Sequence, residues 1–350
     1  MSPAGGHLPV QDLSLSTNAL IFAVAAAVVW VAGTRLAVFA DGIAAKTNMG
    51  QVFVGMLLLG GITSSPEMAN VVTSSSMNNP RLAINNLLGS AAINVFLLAL
   101  VDAWIGRDAV TSQVAKPSTL MMATLCMVVL VIIAIAVAVG DQPFVLGVGI
   151  GSLCITAMSI GFFWMAAGYD DRAQWVIREP HQIPPGDRHP VIAASLRSLL
   201  IRTAIAGVLL LVAGYTLSVT GDAIAAQTGL GSGIVGFALI GIVTSAPELS
   251  TIVQALKLRQ YEMAFGQVLG TNFINLSLFL LADVTFTAGP VINELGPFEI
   301  VSALIGATLI GVFLVGLLEH RNRTIGRMGY DSFAVISLFC CGLALLYLSD

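Results

Sequence analysis

Two stretches of this chain put a carboxylate where a continuous apolar run leads the reader to expect none: "GGITSSPEMANVV" at 60–72 and "GIVTSAPELSTIV" at 241–253. In each, a glutamate (Glu67, Glu248) follows a proline and is preceded by hydroxyl side chains, Thr63 and Ser64 in the first and Thr244 and Ser245 in the second. Residues three and four apart share a helix face, so each carboxylate has two hydroxyls beside it. Pro66 and Pro247 lack an N–H, which denies the carbonyls of Ile62 and Val243 their helical donor and kinks or opens the helix. Gly60, Gly61 and Gly241 ease an irregular backbone nearby. Each stretch thus offers a carboxylate, two hydroxyls and carbonyl oxygen, an all-oxygen set of the kind that binds hard cations such as Ca²⁺ and Na⁺. Twenty-seven residues after each Glu comes an Asn, Asn94 and Asn275, with Ser90 and Thr271 four residues before them on the same face. Two carboxylates together match the charge of one divalent ion.

Plainer readings stand beside this one. A single Glu near a span end can reach the headgroups, Asn94 and Asn275 can be interhelical hydrogen-bond glue, and Ser90 and Thr271 can simply permit close helix packing. Asp41, Asp222, Asp102 and Asp283 sit at span ends and read as interfacial or structural.

The elements that position these groups are membrane spans. Charged residues are 10% of the 350, against about 25% in a soluble domain. Mean hydropathy is +0.91. Apolar runs of about 20 residues, the length a bilayer requires of a helix, recur along the chain. Ten are read, near 18–40, 52–74, 82–101, 119–140, 144–167, 198–220, 233–256, 262–282, 299–318 and 330–348. The chain is therefore expected to be an all-α polytopic membrane protein. Residues 1–17 hold no Lys or Arg, so the first span is not expected to be a signal peptide. Cys126, Cys154, Cys340 and Cys341 fall in spans without metal-ligand spacing and read as small core residues. His181 and His189 offer at most a surface metal pair in the central loop.

The sequence repeats. "VAGTRLAVFADGIAAKTNMGQVFVGMLLLGGITSSPEM" from Val31 aligns without a gap to "VAGYTLSVTGDAIAAQTGLGSGIVGFALIGIVTSAPEL" from Val212, at an offset of 181 with half the positions identical. The same offset pairs Glu67 with Glu248, Gly89 with Gly270, Asn94 with Asn275 and Asp102 with Asp283. An outer segment 1–17, a first five-helix repeat 18–167, a connecting loop 168–197 and a second five-helix repeat 198–350 follow. Five spans is an odd number, so the second half enters the membrane inverted. Inverted repeats with ion sites at their midplane interface are a mark of secondary transporters. With the N-terminus outside, thirteen of the fifteen Lys and Arg fall in inner loops, Arg35 lies toward the inner end of span one, and only Arg81 faces out. That bias predicts both termini outside and a cytoplasmic central loop.

"TSSPE" with "NNLLGSAAIN", and "TSAPE" with "GQVLGTNFIN", resemble the two α-repeats of the sodium/calcium exchanger family within the calcium/cation antiporter superfamily. The resemblance covers about 70 residues of each half. It implies ten helices in two inverted five-helix halves, an ion site built by spans 2, 3, 7 and 8, and spans 1 and 6 as a sliding gate. It implies ion contacts for Glu67 and Glu248 with both Ca²⁺ and Na⁺, and oxygen for Ca²⁺ from Thr63 and Thr244. It further implies sodium positions at Ser64, Ser245, Ser90 and the backbone near Gly60 and Gly241, with Asn94 and Asn275 flanking the middle site. The sequence departs from the family pattern at Ile62 and Val243, where a glycine opens the motif, and at Ala91 and Gln267, which replace asparagines. The first of these departures predicts a shifted backbone break.

The expected activity is exchange of Ca²⁺ for Na⁺ by alternating access, with the lipid bilayer as surroundings and no cofactor or nucleic acid. H⁺ is the alternative counter-ion, since buried glutamates can load protons, although the G-N-A-x-E motif of calcium/proton exchangers is absent. An intramembrane enzyme is disfavoured because no His lies in a span and the midspan acids are Glu. A passive channel would need no counter-ion. A prokaryotic inner membrane suits the compact size and short central loop.

Overall fold

The structure, a computed structural model, describes residues 13–47, 49–105, 108–114, 116–145, 147–170, 172–174, 194–228 and 244–349. The first half contains α1 (Leu15–Thr47), α2 (Gln51–Thr63), α3 (Ser65–Ser76), α4 (Pro80–Ile105), α5 (Pro117–Val139) and α6 (Ile150–Ala166). The second contains α7 (Leu196–Thr228), α8 (Ala246–Lys257), α9 (Tyr261–Ser277), α10 (Phe279–Thr285), α11 (Pro297–Glu319) and α12 (Tyr330–Ser349). Two small antiparallel hairpins precede α6 and α12: β1 (Pro143–Val145) with β2 (Val148–Gly149), and β3 (Thr324–Ile325) with β4 (Met328–Gly329). Among the described residues seven helices are long and apolar enough to cross a membrane, or eight with the bent pair α2/α3 taken as one. The sequence reading of ten exceeds this for two reasons. α6 is an apolar helix of 17 residues, because the hairpin takes the start of the expected 144–167 span. The expected 233–256 span is described only from residue 244.

The two halves match in space as they do in sequence. α5 and α11 each begin with a proline at the first turn and run 23 residues, about 34 Å, enough to cross the hydrocarbon. At one end of this pair, Asp102 closes α4 by accepting the Val110 N–H (3.2 Å) and, from the second half, the Gly329 N–H (2.9 Å) and the Ser332 hydroxyl (2.6 Å). At the other end, Asp283 accepts the Val291 N–H (2.6 Å) and, from the first half, the Gly149 N–H (2.7 Å). Asp102 and Asp283, and Val110 and Val291, are partners at the offset of 181. Each half therefore locks the hairpin of the other, at opposite membrane faces, as an inverted repeat requires. Neighbouring asparagines reinforce both joints: Asn322 receives the Ala109 N–H (2.9 Å), and Asn293 receives the Asp141 N–H (2.7 Å). The structural reading of Asp102 and Asp283 fits these contacts.

Helices α1 and α7 each pack against the opposite half. A Cβ on Gly214 of α7 would lie 2.5 Å from the Pro66 ring, and one on Gly33 of α1 would lie 1.8 Å from the Ser250 hydroxyl and 3.3 Å from the Pro247 carbonyl. Gly33 and Gly214 are again 181 apart, so α1 and α7 each lie against the proline of the opposite motif. Among the cysteines only Cys126 is buried; Cys154, Cys340 and Cys341 are exposed, which corrects their reading as core residues.

Candidate functional site

The first motif folds as the proline dictates, with one difference. α2 and α3 meet at Ser64 (φ −74°, ψ 0°) and bend by 42°. The Ile62 carbonyl is not left open: the Ser65 hydroxyl donates to it at 2.8 Å. The Ser64 hydroxyl likewise turns back to the Gly60 carbonyl (2.8 Å), and that of Thr63 to the Leu59 carbonyl (2.9 Å). A π-helical turn over Gly55–Leu59 precedes the bend, so the backbone is irregular on both sides of Ile62. α3 then starts with Pro66 in its first turn and Glu67 behind it, and α8 starts the same way with Pro247 and Glu248.

Glu67 and Glu248 are both fully buried, as are Thr63, Thr244, Ser245, Ser90, Asn94, Thr271 and Asn275, with Ser64 all but buried. The two carboxylates lie close enough to act on each other coulombically, and the Thr63 hydroxyl lies beside Glu248. Glu67 Oε1 accepts a long hydrogen bond from Ser90 (3.4 Å), while Glu67 Oε2 and both Glu248 oxygens have no hydrogen-bond partner among the described residues. Ser245 Oγ, Thr271 Oγ1, Asn94 Oδ1 and both amide atoms of Asn275 are also buried without a partner among the described residues. A buried carboxylate without a partner costs several kcal/mol, so such a pair calls for cations beside it or takes up protons. Gly241 and Val243 lie outside the described residues.

Helix α9 closes the site from the second half by very close approach. A Cβ on Gly60 would sit 2.9 Å from the Thr271 nitrogen, one on Gly270 2.6 Å from Met56 Cα, and one on Gly266 2.3 Å from the Val52 carbonyl. Glycine at these crossings lets the α2 and α9 backbones touch, which sets Thr271 against Gly60.

Sequence reasoning passed over three lining residues. Asn86 on α4 accepts from Thr244 (3.4 Å), and Asn272 on α9 donates to the Ala91 carbonyl (3.2 Å) and accepts from Asn94 (3.4 Å). Gln267 donates to the Thr251 hydroxyl. The signal was present: Asn86, Ser90 and Asn94 recur every four residues, and Gln267, Thr271 and Asn275 are their partners at the offset of 181. Each half thus carries one polar stripe of buried side chains, and Ser90 of the first reaches Glu67.

Helix α4 is continuous, whereas its counterpart breaks at Leu278 between α9 and α10, just past Asn275. The Thr156 hydroxyl of α6 enters the break, donating to the Ser277 carbonyl (2.9 Å) and accepting the Leu280 N–H (3.1 Å). An inserted side chain of this kind is a recognised cause of a helix break without proline.

A family model described as sodium/calcium exchanger protein matches residues 17–166 and 198–348. The chain is 25% identical over 304 residues to a protein of Alkalimonas amylolytica named putative antiporter CaxA, covering 86% of this chain and 89% of that one. It is 24% identical over 294 residues to inner membrane protein YrbG of Escherichia coli, covering 83% and 85% of the two chains. Among solved structures, the sodium-calcium exchanger NCX_Mj soaked with 10 mM Na⁺ and zero Ca²⁺ superposes with a TM-score of 0.68 at 19% identity, covering 95% of this chain and 99% of that one. That likeness shows a shared two-repeat membrane fold. With both halves matched by one family model, this integral membrane chain belongs to the sodium/calcium exchanger protein family, a family of antiporters.

Proposed function

We propose that the chain exchanges Ca²⁺ for Na⁺ across the membrane at one site, which the two ions occupy in turn. The observation that carries this reading is the pair of fully buried carboxylates, one from each half, amid hydroxyl and amide oxygens that lack partners among the described residues. One Ca²⁺ or two Na⁺ neutralises Glu67 and Glu248, and a third Na⁺ would leave one net positive charge at the site. In this reading Thr63 and Thr244 complete the Ca²⁺ shell. Ser64, Ser245, Ser90, Thr271 and the backbone at Gly60 and Gly241 serve Na⁺, and Asn94 and Asn275 flank the centre. The empty site carries buried charge and resists passing the apolar barrier, so the gate helices move only with cargo aboard. That rule distinguishes an exchanger from a channel and needs no catalytic chemistry.

The halves act as inverted five-helix units, 18–167 and 198–350, joined by the loop 168–197. Both termini face out and the loop faces the cytoplasm, in a prokaryotic inner membrane. Na⁺ rather than H⁺ is favoured by the partnerless neutral oxygens of Ser245, Thr271 and Asn275, which a proton does not need and a sodium ion does. The test is equilibrium binding of radioactive Ca²⁺ to purified protein at fixed pH with rising Na⁺. Steep displacement by Na⁺ and none by K⁺ is expected. Binding that ignores Na⁺ and is displaced by acid would overturn the reading in favour of H⁺.

A further inference from the structure

On the outer face of the gate pair, α1 and α7 leave between them an apolar groove of about 780 Å³. Its walls include Val28 and Ala32 of α1 and Ile205 and Leu209 of α7, and Arg35 and Arg202 are the charged residues lining it. Gln227 near the end of α7 donates to the Leu13 carbonyl just before α1, so the two helices run antiparallel. Arg35, late in its stretch of the groove, and Arg202, the first lining residue of α7, therefore lie toward the same end of it. Both arginines are exposed, and among the described residues neither has a carboxylate partner. An arginine on a lipid-facing helix is expensive unless its head reaches the interface or meets an anion. Basic pockets between membrane helices hold anionic headgroups, and a guanidinium binds phosphate in two-pronged fashion.

We propose that this groove holds one anionic phospholipid, its phosphate between Arg35 and Arg202 and an acyl chain along Val28, Ala32, Ile205 and Leu209. The groove supplies what such a lipid needs in the order it needs it: two cations at one end and an apolar trough leading toward the bilayer centre. It is separate from the ion site, since α1 and α7 face that site with Gly33 and Gly214. The lipid would therefore bear on the two helices that meet the prolines of the ion motifs.

The test is native mass spectrometry of the full chain in detergent, offered phosphatidylglycerol or phosphatidylcholine with the same acyl chains. The wild type is expected to retain one phosphatidylglycerol at least tenfold more strongly than phosphatidylcholine. The pair Arg35→Gln and Arg202→Gln should lose that preference, and the pair Arg35→Lys and Arg202→Lys should keep part of it. Ile205→Trp leaves both charges in place and fills the trough; it should weaken retention at least fivefold, and it carries the test if the glutamine pair does not fold. Equal retention of both lipids by the wild type would overturn the proposal. So would unchanged retention in Ile205→Trp, or displacement of the lipid by glycerol phosphate alone, which would mark a headgroup contact without a groove.

Discussion

Replacing Gly270 with alanine tests whether the crossing of α2 and α9 sets the site. The new Cβ would lie 2.6 Å from Met56 Cα and 2.8 Å from the Met56 carbonyl oxygen, both backbone atoms that cannot rotate away. Carbon atoms prefer about 3.5–4.0 Å, so the two helices must part by roughly 1 Å. Overpacking of this kind costs about 1–3 kcal/mol. The same shift moves Thr271, the next residue, off Gly60 and opens the ring of oxygens around the carboxylates; a misplacement of about 1 Å typically costs about a hundredfold in rate where geometry controls the step. Gly270→Ala should therefore lower the melting temperature of the purified protein and cut transport at least tenfold. Gly61→Ala is the control on the same bend, because its Cβ would meet nothing nearer than Ile274 Cδ1 at 3.9 Å, and alanine favours a helix by about 1 kcal/mol. Both variants behaving as wild type would refute the reasoning, and so would equal damage by both.

Three further outcomes follow from particular contacts. Thr156→Val keeps the shape but removes the hydroxyl that bridges Ser277 and Leu280, at a cost of about 1–3 kcal/mol, and should slow transport by loosening Asn275; wild-type melting and flux would contradict this. Asp283→Ala strips two backbone N–H groups of a charged acceptor and should destabilise by about 3 kcal/mol or more, readable as a lower melting temperature with ion affinity retained in the folded fraction. Asn94→Leu removes the amide that meets Asn272 and one oxygen of the polar stripe; Ca²⁺ affinity should fall about tenfold, and an unchanged affinity would return Asn94 to a packing role.

Much of this was legible in the sequence because the repeat doubles every signal. The offset of 181 ties Glu67 to Glu248 and Asp102 to Asp283, and the prolines mark the bend at Ser64 and the start of α8. What stayed hidden depends on contacts far apart in the chain. The break at Leu278 has no proline or glycine to announce it and rests on Thr156, over a hundred residues away. The Ile62 carbonyl is partnered by Ser65, a choice of rotamer that spacing does not dictate. Asn86 and Gln267 were visible as the first members of a four-residue stripe, yet read as motif context rather than lining. Three of the four cysteines face outward because apolar composition alone does not separate a helix's lipid side from its core side.

Ca²⁺ uptake by proteoliposomes loaded with Na⁺ and diluted into Na⁺-free buffer at matched pH is the measurement to make first, with wild type beside Glu67→Gln and Glu248→Gln. Exchange at the paired carboxylates predicts uptake that requires the Na⁺ gradient and falls at least a hundredfold in either variant. Uptake that ignores the Na⁺ gradient, or that survives intact in both variants, would contradict it.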